Sequence, residues 1–136
     1  MMNCRQVVND SNISFKDNGN AKCQLIYLNP TRINVTRYRV DGCLITEGQK
    51  CDFKMDCPNF EHYIEIKGKD IFHACDQIEA TINQLSVDSR TYPKKSFVIA
   101  TGVPTMNGKI QIITKKFSKS YNSTLKIKTR KHTETL

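Results

Sequence analysis

The sequence predicts one α/β (α+β) domain on a mixed central β-sheet, with a helix directly after the strand that ends in Glu65-Ile66-Lys67-Gly68. Three observations predict it. Residues 51–68 have the pattern of two strands around a turn. From 69 to 87 the apolar residues recur at helical spacing, and Ser96-Phe97-Val98-Ile99-Ala100 is the short apolar run of a strand buried on both faces. At 136 residues the chain makes a single domain, 1–136, large enough for a core without metal or disulfide staples.

In chain order, Asn9 to Asn20 lacks an apolar period and is rich in Asn, Asp, Ser and Gly, which predicts a loop. Lys22 to Leu28 reads as a strand stopped by Asn29-Pro30, and Thr36 to Ile45 as a second, with Thr46-Glu47-Gly48-Gln49 turning the chain into Cys51–Met55. Asp56-Cys57-Pro58-Asn59 then turns it again into Phe60–Gly68, giving three consecutive antiparallel strands. A turn centred on Pro58 and Asn59 sets Asp52 opposite Glu65, and the two-residue period of a strand puts Lys67 on the same face. In the simplest register Asp41 and Cys43 share that face; a slip of one residue would remove them from it.

The helix spans Lys69 to about Val87, with Ile71, Ala74, Cys75, Ile78, Ile82 and Leu85 on one stripe, Gln77 on its flank and Asp70 near its start. After a loop at 88–93 comes the apolar strand, closed by Gly102 and Pro104. Asn107-Gly108 signals a turn, Lys109–Thr114 a strand, and Leu125–Arg130 an alternating strand that places Lys126, Lys128 and Arg130 on one face.

Charge divides the chain. Residues 1–88 carry ten Lys/Arg and twelve Asp/Glu, whereas residues 89–136 carry eleven Lys/Arg and one acid, Glu134, so net charges of −2 and +10 make the total of +8. A basic C-terminal third implies an anionic partner, nucleic acid first. Lys115, Lys116, Lys126, Lys128 and Arg130 are its candidate contacts, with Tyr92, Phe117 and Tyr121 interspersed as residues that either stack on bases or pack. The N-terminal residues lack the apolar run of a signal peptide and no window is long enough for a membrane span, so the expected compartment is the cytoplasm. The six cysteines form no Cys-x-x-Cys pair and are expected to be free, mostly buried thiols. His62 and His73 read as surface histidines, and Cys75, on the apolar stripe, as a packing residue.

Asp52, the Glu65-Ile66-Lys67 strand end, the amphipathic helix with Gln77 and the apolar strand together resemble the core of the PD-(D/E)xK nuclease superfamily, over residues 36–101. The resemblance implies a restriction-endonuclease-like core and a metal-dependent endonuclease that hydrolyses phosphodiester bonds, in DNA rather than RNA. It implies Mg2+ (or Mn2+) held by Asp52, Glu65 and the Ile66 carbonyl, with Lys67 orienting the attacking water and stabilising developing charge. Hard cations of this kind take oxygen ligands and neutralise phosphoryl oxygens. Asp41 and Gln77 are accessory candidates. Small members of the superfamily often act as homodimers. The chain departs from the pattern in carrying Cys51 where the family has Pro, and in lacking an amphipathic helix within residues 1–35. Two rival functions share the same residues: a non-catalytic nucleic-acid-binding module, and a protein-binding member of a defence or mobile-element system.

Overall fold

The computed structural model describes all residues except 1–2, 17–21, 69 and 103–107, and the backbone alone of Lys67 and Gly68. It is a mixed α+β fold in three layers. A six-stranded sheet runs in the order β1-β4-β5-β6-β7-β8, built from Arg5–Val8, Val35–Arg39, Phe53–Cys57, Phe60–Gly68, Lys94–Ala100 and Ser123–Thr129. Two helices, α1 (Ile71–Leu85) and α2 (Gly108–Tyr121), cover one face. A three-stranded sheet of β2 (Asn12–Lys16), β3 (Gln24–Leu28) and β9 (Lys131–Thr135) covers the other.

Strands β4, β5 and β6 form the expected antiparallel meander, and Cys57 faces Phe60 across a two-residue turn of Pro58 and Asn59. Asn59 carries φ 77°, a left-handed value that Asn tolerates better than most residues. From β6 the chain crosses over through α1 to the parallel β7, and from β7 through α2 to the parallel β8. This is how helices come to cover one face of a sheet. Helix α1 begins where Asp70 accepts hydrogen bonds from the backbone N–H groups of Phe72 (3.0 Å) and His73 (3.2 Å), satisfying two of the donors that every helix start leaves unpaired.

Alternation in β6 and β7 separates two cores. Tyr63 and Val98 pack with Ala74, Cys75, Ile78 and Ile82 of α1, Phe117 of α2 and Leu125 of β8. On the opposite face, Met55, Ile64, Ile66, Phe97 and Ile99 meet Ile13, Phe15, Leu25 and Tyr27 of the small sheet. Each fully buried side chain of this size contributes about 1.5–3 kcal/mol of hydrophobic stabilisation.

Several expectations are corrected. Residues 9–20 are not all loop: Ile13 and Phe15, alternating with Asn12, Ser14 and Lys16, bury one face of β2. The second strand stops at Arg39, and Asp41 and Ile45 form an isolated bridge in the turn beyond it. The expected strand Lys109–Thr114 is the first half of α2, because Ile110, Ile113, Phe117 and Tyr121 supply a helical stripe that outweighs the β-branched character of the segment. Arg130 is not part of β8. With φ 58° it turns the chain from one sheet to the other, its N–H donating to Ala100 O (2.9 Å) and its carbonyl accepting from Gln24 N–H (2.7 Å).

The thiols are not all free either. Cys4 and Cys43 form a disulfide that ties β1 to the turn carrying Asp41, while Cys23, Cys51, Cys57 and Cys75 are free. Among the described residues no helix is long and apolar enough to cross a membrane.

The reassigned α2 gives the first prediction. Lys115 is exposed in the middle of the helix, so Lys115→Pro should cost about 3 kcal/mol or more of stability through a lost backbone hydrogen bond and a ring clash. Urea unfolding measures it. A strand ending at Thr114 would place Lys115 in a connection, and the substitution would then cost little.

Candidate functional site

The residues that matter lie at the open end of the β5–β6 hairpin. The register pairing Phe53 with Ile64 brings Asp52 opposite Glu65, and there side chains take over from the backbone ladder. Asp52 N–H donates to Glu65 Oε1 (3.1 Å), and Ile66 N–H donates to Asp52 Oδ2 (2.8 Å). Each carboxyl group thus binds a main-chain donor on the other strand. The α1 helix holds the approach to Asp52. Gln77 Nε2 donates to the Lys50 carbonyl (3.1 Å), and Cys51 N–H donates to Thr81 Oγ1 (2.8 Å). Gln77 therefore fixes the backbone that leads into Asp52.

Asp41 reaches the same end of the sheet. The N–H groups of Val40 (3.0 Å) and Asp41 (3.4 Å) both point at the Asp52 carbonyl, and Asp41 lies 4.0 Å from Lys50. Its partner in the sequence expectation, Cys43, is diverted into the disulfide. Electrostatically the three acids form one group. Burial, then the charge of Asp52, pushes the Glu65 carboxyl up to about 9, with the charge of Asp41 acting in the same direction and the Asp52 N–H opposing it. Glu65 is only 7% exposed and, alternating with Ile64 and Ile66, shares with Tyr63 the helical side of the large sheet.

Asp52 opens onto a cleft of about 500 Å³ between the two sheets, lined by Ser14 and Lys16 of β2, Arg37 and Arg39 of β4, Asp41, Asp52, Phe53 and Ile66. Arg37 is held in place, its Nη2 donating to Ser14 O (2.9 Å) and its guanidinium lying 4.5 Å from the centre of the Phe15 ring. Burial lowers its pKa. Sequence reasoning did not connect Lys16, Arg37 and Arg39 with this site. The available signal was that residues 37, 39 and 41 alternate along one strand direction toward the acid already singled out.

The proposed ligand set is only partly assembled among the described residues. Asp52 and Glu65 meet and Ile66 lines the same cleft, but no group of three or more His, Cys, Asp or Glu side chains is arranged to hold a metal ion. Two adjacent carboxyl groups that repel each other when both are ionised do suit a hard cation in donor chemistry, since a cation would take the place of the proton. Lys67 belongs to β6, where Ile66 pairs with Ile99 and Gly68 with Ala100, so Lys67 is the extra residue of a bulge. Strict alternation from Glu65 to Lys67 is interrupted there; the Lys67 side chain lies outside the described residues.

The C-terminal cations do not share one surface. Lys115 and Lys116 are on α2, on the helical side of the large sheet, and Lys116 pairs with Glu79 at 2.7 Å. Lys126 stands beside Phe97 on the other side, 2.9 Å from Glu134 of β9. Lys128, registered with Ile99, follows it, and Arg130 is in the turn. Phe117 is fully buried and Tyr121 donates to Glu79 (3.1 Å), so both pack.

His62 is a buried residue, contrary to its surface expectation. Its Nδ1 lies 3.0 Å from Tyr27 Oη, and burial together with Lys95 lowers its pKa to about 3, which keeps the ring neutral. It faces the small sheet, away from Glu65. His73 is exposed on α1 as expected. The Cys75 thiol is pushed up to about 12 by burial, which suits packing and not nucleophilic chemistry.

Comparison with protein-family models, with curated proteins and with solved structures finds no match.

The raised Glu65 carboxyl gives the second prediction. Between the ordinary carboxylate range and about 9 the folded state holds a proton that the unfolded chain has released. Stability contributed by this site should therefore be greatest in acid and decline as pH rises through that window. Chelator-treated Glu65→Gln, which keeps an oxygen for the Asp52 N–H, should show a flatter profile of urea midpoint against pH. An identical slope in the two proteins would mean that Glu65 is not the group retaining the proton.

Proposed function

We propose that the protein is a metal-dependent phosphodiesterase, an endonuclease acting on DNA rather than RNA, with a restriction-endonuclease-like core formed by β4, β5, β6, α1 and β7. One observation carries this proposal: Asp52, whose N–H donates to the Glu65 carboxyl, lines a cleft that also contains Lys16, Arg37 and Arg39. Negative groups able to hold a cation and positive groups able to hold a phosphate are thereby juxtaposed.

Asp52, Glu65 and the Ile66 carbonyl would hold Mg2+ (or Mn2+), which supplies Lewis-acid neutralisation of phosphoryl charge. The chain's own residues do the rest. Asp41 adds negative charge at the rim, and Gln77, through Lys50, keeps the Asp52 backbone fixed against α1. Arg37 and Arg39 orient the phosphate, a task suited to the planar guanidinium fork. Lys67, at the bulge that follows Glu65, is proposed to orient the water and offset developing charge. In this reading the protein acts in the cytoplasm as a homodimer, with one site for each strand, and the exposed Lys115, Lys128 and Arg130 add general attraction to the nucleic acid.

The hydrogen bonds of the acid pair also favour a second reading, a non-catalytic nucleic-acid-binding module in which Asp52 and Glu65 simply close the hairpin. Substitution separates the two. Alanine would leave a main-chain donor unpaired at a cost of about 1–3 kcal/mol, so isosteric changes are preferable. Asp52→Asn and Glu65→Gln should retain folding by circular dichroism yet lose at least about a hundredfold in magnesium-dependent cleavage. A wild-type protein that cleaves no single-stranded, duplex or branched DNA or RNA with magnesium or manganese leaves the binding module standing.

Lys67→Met tests the remaining role. Metal binding by calorimetry should persist while single-turnover cleavage falls. Cleavage at the wild-type rate removes Lys67 from the mechanism.

A further inference from the structure

We infer that the cleft between the two sheets seats the backbone of a single nucleic-acid strand, with Lys16, Arg37 and Arg39 as its phosphate contacts. The identity of the ligand rests on the phosphodiesterase reading. The location and size of the seat rest on the geometry.

Three cations from two different layers converge on one cleft, Lys16 from the small sheet and Arg37 and Arg39 from the large one. Convergence across layers is not a consequence of strand alternation, which places charges along one strand. Arg37 is already oriented by Ser14 O and the Phe15 ring, so little side-chain freedom is lost when it meets a ligand. Lys16 and Arg39 are exposed at the rim. Phe53 and Ile66 give the cleft an apolar wall beside the charged one, the combination that a nucleotide requires: a phosphate on one side and a base or sugar on the other.

Size selects the strand. A volume of about 500 Å³ is that of a site for one small molecule. It has room for a nucleotide unit of a single strand, a flap or an extruded nucleotide, and not for a base-paired duplex. Asp41 and Asp52, which line the same cleft, then lie beside the backbone of the strand.

The placement differs from that suggested by net charge. The C-terminal third holds most of the cations, but Lys94 is buried, Lys116 is paired with Glu79 and Lys126 with Glu134. The cleft cations come from residues 1–88, whose net charge is negative.

Fluorescence anisotropy in EDTA, which removes cleavage from the measurement, tests the inference with a short labelled DNA strand and the blunt duplex of the same sequence. The single strand should bind more tightly than the duplex. Arg39→Gln combined with Lys16→Gln, both at exposed positions, should weaken strand binding at least about tenfold and flatten the log–log salt dependence by roughly 0.7 per lost contact. Because Arg37 also braces the two layers, Arg37→Lys is the suitable change there, with circular dichroism to confirm folding. Lys128→Gln with Arg130→Gln should have the smaller effect. Strand affinity and salt slope unchanged in the cleft variants, or lost instead in the Lys128/Arg130 pair, would overturn the inference. So would tighter binding of the duplex, or binding of a labelled polyglutamate with the same dependence on the cleft cations and no strand binding at all. Absent cleavage with cleft-dependent strand binding would refute the phosphodiesterase reading and leave this inference intact. Cleavage with strand binding indifferent to the cleft would do the reverse.

Discussion

Strand β6 is covered on both faces, and every polar side chain in its buried part must therefore find its partner inside the protein. Three such groups occur, and their solutions differ. Glu61 accepts from Tyr63 Oη, Ser86 Oγ and Val87 N–H, at the end of the sheet where the Lys94 ammonium is enclosed by the carbonyls of Asp88, Tyr92 and Tyr121. His62 stays neutral against Tyr27. Glu65 accepts from the Asp52 N–H but also faces two further acids. Donors surround the first carboxyl, while like charges surround the third. A buried carboxyl group crowded by acids is costly unless a proton or a cation accompanies it, and that asymmetry distinguishes the Glu65 end of the strand from the Glu61 end.

The hydrogen bonds of Asp52 and Glu65 also complete the hairpin. Beyond Phe53 and Ile64 the β5–β6 ladder runs out, and the Asp52 and Glu65 side chains accept the N–H groups that a longer ladder would have satisfied. Their positions are thus set by the backbone of the opposing strand, with α1 holding the preceding residues through Gln77 and Thr81. Rotamer freedom is small in such an arrangement, as a preorganised site requires.

Much of this was legible in sequence because it depended on local order. The Pro58-Asn59 turn sets the hairpin register, and register alone places Asp52 opposite Glu65. Helix α1 declared itself through a long stripe and its Asp70 cap. Helix α2 did not, since Ile110, Ile112 and Ile113 satisfy both a strand period and a helical one; only Phe117 and Tyr121, further along, separate the two, and Ile112 is left 68% exposed. Strand β2 rests on just two buried side chains in a polar segment, and β9 carries no apolar residue at all. The Cys4–Cys43 bridge and the meeting of Lys16 with Arg37 and Arg39 depend on which strands become neighbours, β1 with β4 in one case and β2 over β4 in the other. Spacing along the chain carries little information about such long-range pairings.

Net charge counts cations without their partners. Of the eleven basic residues after position 88, Lys94 is enclosed among carbonyl oxygens, Lys116 meets Glu79, and Lys126 meets Glu134. An exposed pair is worth little to stability, yet it still reduces the field that a passing phosphate would experience. The cleft gathers its charges differently: Arg37, donating to Ser14 O and stacked on the Phe15 ring, and Asp52, accepting from the Ile66 N–H, are each positioned by the backbone of a neighbouring strand, so where these two charges stand follows from strand pairing and from the packing of the two sheets.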